Sequence, residues 1–459
     1  MACSYSSHPS PLLVGPSLCS SSASISNSRV LLVSRGNEFR KKVCGLASGF
    51  RIYCRNADVG APSKIVTFVG KGGVGKTFSA VLAAQYYASL GLRTALAVQS
   101  QDPTAEFLLG SKLGTYSAPF RDGNLSAFRL DATKLLEEPW SLVKQADAEL
   151  KFSQGALDEV VSEELSILPG MDSILAIGLL ERLSGFTGDS LKKRGKGGER
   201  YDIVVYDGAS SEETLRIFGS AERVRWYLRR LRSLADKTDA GRVALPSILK
   251  SVETSILGGP GDRSTPEIWS EVDSIFSKTV AAFADRTRFG CYLVTNPRNK
   301  LAHECALRYW GCAMQAGVHV TGAVHMAPRG DFEALADSIQ EDYSPLTLAE
   351  IPHFSFGESP NWKELLSNLH PHFGQILQDK AMSPIPPPVA IDKSSNTITL
   401  FLPGFPKSEV KLSQWRGNTE LLVEAGDQRR SISLPPGMQG KVTKAKFENK
   451  SLVVTIGRS

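Results

Sequence analysis

The stretch Lys64-Ile65-Val66-Thr67-Phe68-Val69-Gly70-Lys71-Gly72-Gly73-Val74-Gly75-Lys76-Thr77 reads as a strand, a glycine loop and the start of a helix. Its apolar, β-branched opening run has the composition of a buried strand. Behind the loop, Ala80, Ala83, Ala84, Tyr87 and Leu90 give a helix-like stretch that Gly91 stops, and Thr94-Ala95-Leu96-Ala97-Val98 reads as the next strand. Strand, helix and strand of these lengths make a βαβ unit, which requires the two strands to be parallel. Further buried-strand candidates are Ile203-Val204-Val205-Tyr206, Cys291-Tyr292-Leu293-Val294 and the alternating Val318, Val320, Gly322 and Val324. The chain is therefore predicted to be α/β, a mostly parallel, doubly wound sheet with helices on both faces. An all-helical insertion is expected over about residues 218–285, and a Gly/Lys-rich surface loop over 189–200.

The glycines of Gly70 to Thr77 let successive backbone N–H groups turn inward around phosphate oxygens, and the helix behind presents its positive end to them. Gly70, Gly72, Gly73, Val74 and Gly75 form the cradle of this P-loop; Lys76 is placed to reach the β- and γ-phosphates of a nucleotide, and the Thr77 hydroxyl to ligate Mg²⁺. Lys71, second in the loop, is a cation that an ordinary phosphate loop does not need, which makes this a loop of the deviant type. Asp207 ends the strand Ile203 to Tyr206, at the sheet edge beside the phosphates, where it can hold Mg²⁺ through water or through Thr77. Asp102, in Gln101-Asp102-Pro103-Thr104, lies past the second strand on the same edge, where a carboxylate can orient an attacking water.

Together these motifs resemble the arsenite-pump ATPase family, which includes the guided-entry targeting ATPases for tail-anchored membrane proteins. The resemblance runs from Lys64 to Leu377. It rests on the whole loop, on Gln101-Asp102-Pro103-Thr104 as a first switch, and on Asp207-Gly208-Ala209-Ser210-Ser211 with Thr214-Leu215-Arg216 as a second. Leu168-Pro169-Gly170-Met171-Asp172 is similar to another family segment. The resemblance implies ATP as the nucleotide, and a homodimer that closes over two ATP molecules and opens after hydrolysis to change a client-binding surface. It further implies that Lys71 crosses the dimer interface to the other nucleotide. Four departures stand out. Ser210, Glu212 and Glu213 replace the proline, glycine and histidine usual in the second switch. The cysteine pair that binds an intersubunit zinc in the targeting branch is missing, since Cys305 and Cys312 are seven apart and read as buried helix cysteines, so no zinc site is expected. The methionine-rich client helix of that branch and its adenine-contacting asparagine, sought around His325-Met326, also lack counterparts.

Residues 381–394, with Pro384, Pro386, Pro387 and Pro388, read as a stiff polyproline linker between an ATPase domain over 58–380 and a terminal domain over 395–459. There the period changes to two, and short strands are separated by Gly, Pro and Asn turns, the pattern of a small all-β sandwich. Leu402-Pro403-Gly404-Phe405, Glu420 to Asp427, Leu434-Pro435-Pro436, Ala445 to Asn449 and Leu452-Val453-Val454 resemble, in order, an α-crystallin (small heat-shock) domain lacking its Ile-x-Ile tail. The pairing resembles a plastid and cyanobacterial branch of the targeting-ATPase family.

Residues 1–57 are serine-rich and basic, as a chloroplast transit peptide is, and predict delivery to the stroma. Arg29, Arg35, Arg40, Lys41, Lys42, Arg51 and Arg55 stand there against the single acid Glu38, so this segment accounts for the whole net charge of +6. Nucleic-acid binding on the strength of charge is thereby excluded. Of seven cysteines, only Cys291, Cys305 and Cys312 follow it, too few for a disulfide framework and suited to a reducing compartment. No run of eighteen apolar residues occurs, so no transmembrane segment is expected. The leading functional expectation is a dimeric, ATP-hydrolysing targeting factor or chaperone for hydrophobic protein segments. An oxyanion (arsenite) pump ATPase and a nucleotide-switched membrane-positioning ATPase are the alternatives.

Overall fold

In a computed structural model, residues 63–115, 120–130, 171–185, 201–235, 237, 263–327, 339–352, 354, 360–379 and 384–457 are described. The segment expected as a transit peptide, the loop expected over 189–200 and residues 381–383 of the expected linker lie outside them. The elements of the first domain are β1 (Lys64–Val69), α1 (Lys76–Ser89), β2 (Thr94–Val98), α2 (Thr104–Leu109), β3 (Phe120–Asp122), β4 (Leu125–Arg129), α3 (Met171–Ser184), β5 (Ile203–Asp207), α4 (Ser211–Ala235), α5 (Thr265–Ala284), β6 (Phe289–Thr295), α6 (Lys300–Gln315), β7 (Val320–Ala327), β8 (Leu348–Pro352), α7 (Trp362–Ser367) and α8 (Pro371–Leu377).

Among the described residues the eight strands form one sheet in the order β3-β4-β2-β5-β1-β6-β7-β8, parallel throughout except for β3 against β4. Every residue of β1, β2, β5 and β6 is buried, as expected of central strands covered on both faces. Side chains alternate between two cores: Ile65 and Val69 join α3, α4, α5 and α6, whereas Val66 and Phe68 join α1, α2 and α8. The chain thus leaves β1 toward one face and β5 toward the other, which opens a crevice at the carboxyl ends of the two neighbouring strands.

The segment expected as a helical insertion is, at both its ends, part of the core. Ile217, Phe218 and Ala221 of α4 are buried on the sheet, and Ile268, Val272, Ile275, Phe276 and Phe283 make a buried stripe along α5 at helical spacing. Phe218 meets Phe283 and Phe289 edge to face, with ring centroids 4.8 and 4.7 Å apart. Residues 238–262 between them are outside the described part. At the end of this domain, Pro371 stands in the first turn of α8, a position that loses no helical hydrogen bond, and the apolar run around Trp362 to Ile376 folds as two short helices.

The second domain is two packed sheets. Strands β9 (Val389–Asp392), β10 (Thr397–Phe401), β14 (Val442–Glu448) and β15 (Ser451–Ile456) form one in the order β14-β15-β10-β9; β11 (Val410–Trp415), β12 (Glu420–Ala425) and β13 (Gln428–Ser433) form the other. Strands β12 and β15 alternate buried and half-buried residues, and Ile398, Leu400, Leu421, Val423, Ile432, Leu452 and Val454 fill the space between the sheets. Residues 389–392, assigned from sequence to the linker, are strand β9, antiparallel to β10. Val389 and Ile391 carried a strand signal that the preceding prolines masked.

The two domains lie in one compact unit, Val59–Ser459. Phe401 belongs to the core of the first domain and packs edge to face on Trp310, centroids 5.2 Å apart. Gly311 makes this approach feasible: a Cβ there would stand 2.5 Å from the Pro403 carbonyl oxygen and 2.8 Å from the Phe405 ring. Gly404, at φ +74°, brings its backbone equally close to Leu307 and Arg308. Arg430 is largely buried and donates to the carbonyl oxygens of Met314 and Gln315 at the end of α6, at 3.1 and 3.4 Å. Lys450 caps the carbonyls of Glu341, Asp342 and Ser344 with its three ammonium hydrogens and lies over the Trp310 ring.

Candidate functional site

The phosphate loop joins β1 to α1 at the crevice. Gly73 and Gly75 hold φ of +82° and +97°, and a Cβ on Gly75 would fall 2.4 Å from the Met326 methyl carbon. Gly70 has its own constraint, since a Cβ there would overlap the Val294 carbonyl oxygen at 2.2 Å. Gly72 has nothing within 4 Å of the corresponding position, and Val74 is buried beneath the loop. No acidic residue stands in the first turn of α1, so its N–H groups and dipole remain available to an anion.

Lys76 reaches over the loop to the Lys71 carbonyl oxygen at 3.5 Å. Burial lowers its pKa, and the charges of Asp207 and Glu212 oppose that shift, so the ammonium is held between the loop and the end of β5. Asp207 is 3% exposed, hydrogen bonded to Thr77, and its Oδ2 has no protein partner. Burial pushes its carboxyl up to about 6, against the pull of Thr77 and Lys76, with Asp102 adding to the rise. A buried carboxylate oxygen without a donor, next to a hydroxyl and a lysine, fits a hard divalent cation such as Mg²⁺ entering with phosphate. Among the described residues no group of three His, Cys, Asp or Glu is arranged to hold a metal by itself.

Asp102 lies exposed at the same edge. Its Oδ1 accepts hydrogen bonds from the Thr104 N–H at 2.7 Å and from the Thr104 hydroxyl, which with the Arg129 charge hold its pKa low and keep it ionised. Arg129, at the end of β4, donates to the Ser100 carbonyl at 2.7 Å and to Glu106 at 3.0 Å, fixing the loop that carries Asp102. Lys71, second in the loop, is half-buried.

Sequence reasoning read two segments as switches but missed the contacts that tie α4 to the phosphate loop, to the end of β2 and to α6. Ser211 is the first residue of α4; its hydroxyl accepts from the Gly70 N–H at 2.8 Å and donates to the Gly70 carbonyl at 2.7 Å, a two-way clip between loop and helix. Gln99, just past β2, accepts from the Tyr206 hydroxyl and donates to Glu213 in the first turn of α4 at 2.8 Å. Glu212 accepts from the Tyr309 hydroxyl of α6. The glutamates that depart from the family pattern thus anchor α4 at both sides. No local signal exposes these pairings, which span 141, 114 and 97 residues.

Residues 63–306, the phosphate loop and both segments read as switches included, match the family described as anion-transporting ATPase. The chain belongs to that family. Residues 394–456 of this ATPase match the HSP20-like domain found in ArsA proteins. It is similar, at 25% identity over 394 residues, to a protein of Chlorobaculum tepidum and one of Prosthecochloris vibrioformis, each named as an arsenical pump-driving ATPase; the alignments cover 82% of this chain and 91% of each relative. A similarly named protein of Aquifex aeolicus is 22% identical over 85% of this ATPase and 99% of its own length.

In this ATPase Cys305 and Cys312 are half-buried on α6 rather than buried, and Cys291 is sealed in β6. Burial pushes the thiols of Cys291 and Cys312 up to about 12, so neither is a ready thiolate. His303 is paired with Asp342 at 2.8 Å. Among the described residues no helix is long and apolar enough to cross a membrane.

Proposed function

We propose that this ATPase is a homodimeric targeting factor or chaperone of the plastid stroma, which binds hydrophobic protein segments and releases them through its nucleotide cycle. The observation that carries the reading is the helix α4, clipped to the phosphate loop by Ser211 and to the end of β2, just before the first switch, by the Gln99–Glu213 hydrogen bond. Loss of the γ-phosphate has a direct mechanical route from the loop to a long helix on the core. Lys76 and the loop N–H groups bind the phosphates. Thr77 and Asp207 would hold Mg²⁺, which would supply positive charge against the phosphates. Asp102, ionised at neutral pH, orients the attacking water, and Lys71 of each subunit serves the nucleotide of the other. The fused HSP20-like domain supports the client role, and the acid-poor, serine-rich first 57 residues support the plastid address.

The test is Mg²⁺-dependent ATP hydrolysis by the full-length chain, with release of a fluorescent twenty-residue apolar helical peptide measured alongside. Asp102→Asn and Lys71→Ala are each expected to lower kcat by about a hundredfold; unchanged turnover in both sinks the mechanism, and peptide retention indifferent to ATP or ADP sinks the client role. The names of the relatives favour a second reading, an oxyanion-pump ATPase. Its mark is turnover stimulated by arsenite and abolished in Cys305→Ser. Full burial of Cys291 in the sheet argues against a three-thiol metalloid site in one subunit.

A further inference from the structure

The β12–β13 hairpin of the HSP20-like domain ends against the switch helix α4. Arg216, Gly219 and Arg223 lie along one face of α4, at i, i+3 and i+7. Arg216 is bound by Asp427 at the hairpin tip, through Nη2 at 2.8 Å and Nε at 3.2 Å. Gln428, 4% exposed, packs so near Gly219 that a Cβ there would meet its Oε1 at 3.0 Å. The tip turns at Gly426, φ +56°, whose backbone lies against Cys312 and Phe405. Two positions along β13, Arg430 is pinned to the carbonyls that end α6. The hairpin is therefore held by α6 and itself holds α4, one turn beyond Ser211 and Glu213.

We propose that this hairpin positions the switch helix for ATP hydrolysis, making Asp427 and Gln428 positioning residues supplied by the second domain to the ATP site of the first. The inference rests on the reading of residues 207–211 with 214–216 as a nucleotide switch. The Arg216–Asp427 pair is exposed, and exposed pairs contribute little to folding. A weak contact on a two-state element nevertheless shifts its populations, tenfold for each 1.4 kcal/mol of differential interaction. By reciprocity, the nucleotide that moves α4 changes the docking of the hairpin, so the ATP cycle reaches the HSP20-like domain without a contact between that domain and the nucleotide.

The experiment uses the full-length chain in steady-state ATP hydrolysis with Asp427→Arg, Arg216→Asp and the double swap. Each single variant is expected to change kcat by about three- to tenfold, with the KM for ATP within about twofold, and the swap to restore kcat to within about twofold of wild type. Unchanged kcat in both single variants, or a swap that restores nothing while thermal unfolding matches wild type, overturns the proposal. Hydrogen exchange provides the reverse arm: residues 425–430 are expected to change protection between ADP and a slowly hydrolysed ATP analogue, and identical protection overturns it. A wild-type chain that hydrolyses no ATP instead defeats the reading of the site on which the proposal rests.

Discussion

Asp207 carries the clearest conflict between stability and function. Its carboxyl titrates at about 6 rather than at the model-peptide value of 3.8, so ionising it in the folded apo protein costs on the order of 3 kcal/mol. The sign follows from proton counting: between about pH 4 and pH 6 the folded state binds more protons than the unfolded one, so stability falls as pH rises through that window. Asp207→Asn is expected to raise the apo unfolding temperature at pH 8 by several degrees, to leave it unchanged near pH 3.5, and to abolish Mg²⁺-dependent nucleotide binding. Thermal scans at the two pH values, with and without Mg²⁺ and ATP, check all three. Wild type is expected to gain more from Mg²⁺ and ATP at pH 8 than the sum of the two added separately, because the cation meets the orphaned oxygen. Ser211 presents the contrasting case. It stood inside a recognised switch segment, yet nothing in its neighbours announces that its hydroxyl serves both backbone groups of Gly70.

At the scale of elements, local pattern was a good guide wherever one residue type satisfied one local demand. Glycine at positive φ in the phosphate loop and the period-two alternation of β12 and β15 are both visible in the sequence. Errors came where an element serves two masters. The stretches of α4 and α5 inside 218–285 look like an added helical piece because their polar residues are numerous, but one stripe of each is core. Strand β9 was hidden by prolines that end just before it. Gly311 is the sharpest element-level prediction: Gly311→Ala adds one methyl group against the Pro403 carbonyl, and the interface must open or strain by about 1–3 kcal/mol. Limited proteolysis is expected to cut the proline segment at residues 384–388 faster in this variant, with the ATPase domain still folded; an unchanged cleavage rate contradicts the packing described.

At the scale of the whole molecule, the proposed dimer makes a prediction that one subunit cannot fulfil. Lys71→Ala and Lys76→Ala proteins are each expected to be inactive, one lacking the cation delivered to its partner and the other lacking its own phosphate lysine. Exchanging subunits at equal ratio then regenerates one complete site in each mixed dimer, roughly a quarter of wild-type turnover. Absence of complementation, with mixed dimers demonstrated by tag exchange, assigns Lys71 to its own subunit.

The sequence by itself determined the α/β character, the phosphate loop with Lys76 and Thr77, the position of Asp102 and Asp207 at one sheet edge, and the existence of a second, all-β domain. Those are contiguous signals, written by periodicity and by backbone conformations that few residue types accept. Only the tertiary structure decided that Ser211 closes on Gly70, that Gln99 joins the end of β2 to α4 through Glu213, and that Asp427 reaches back across 211 residues to Arg216. These contacts depend on which helix face meets which strand end, and that is settled by the packing of two cores and one interface, to which hundreds of residues contribute at once.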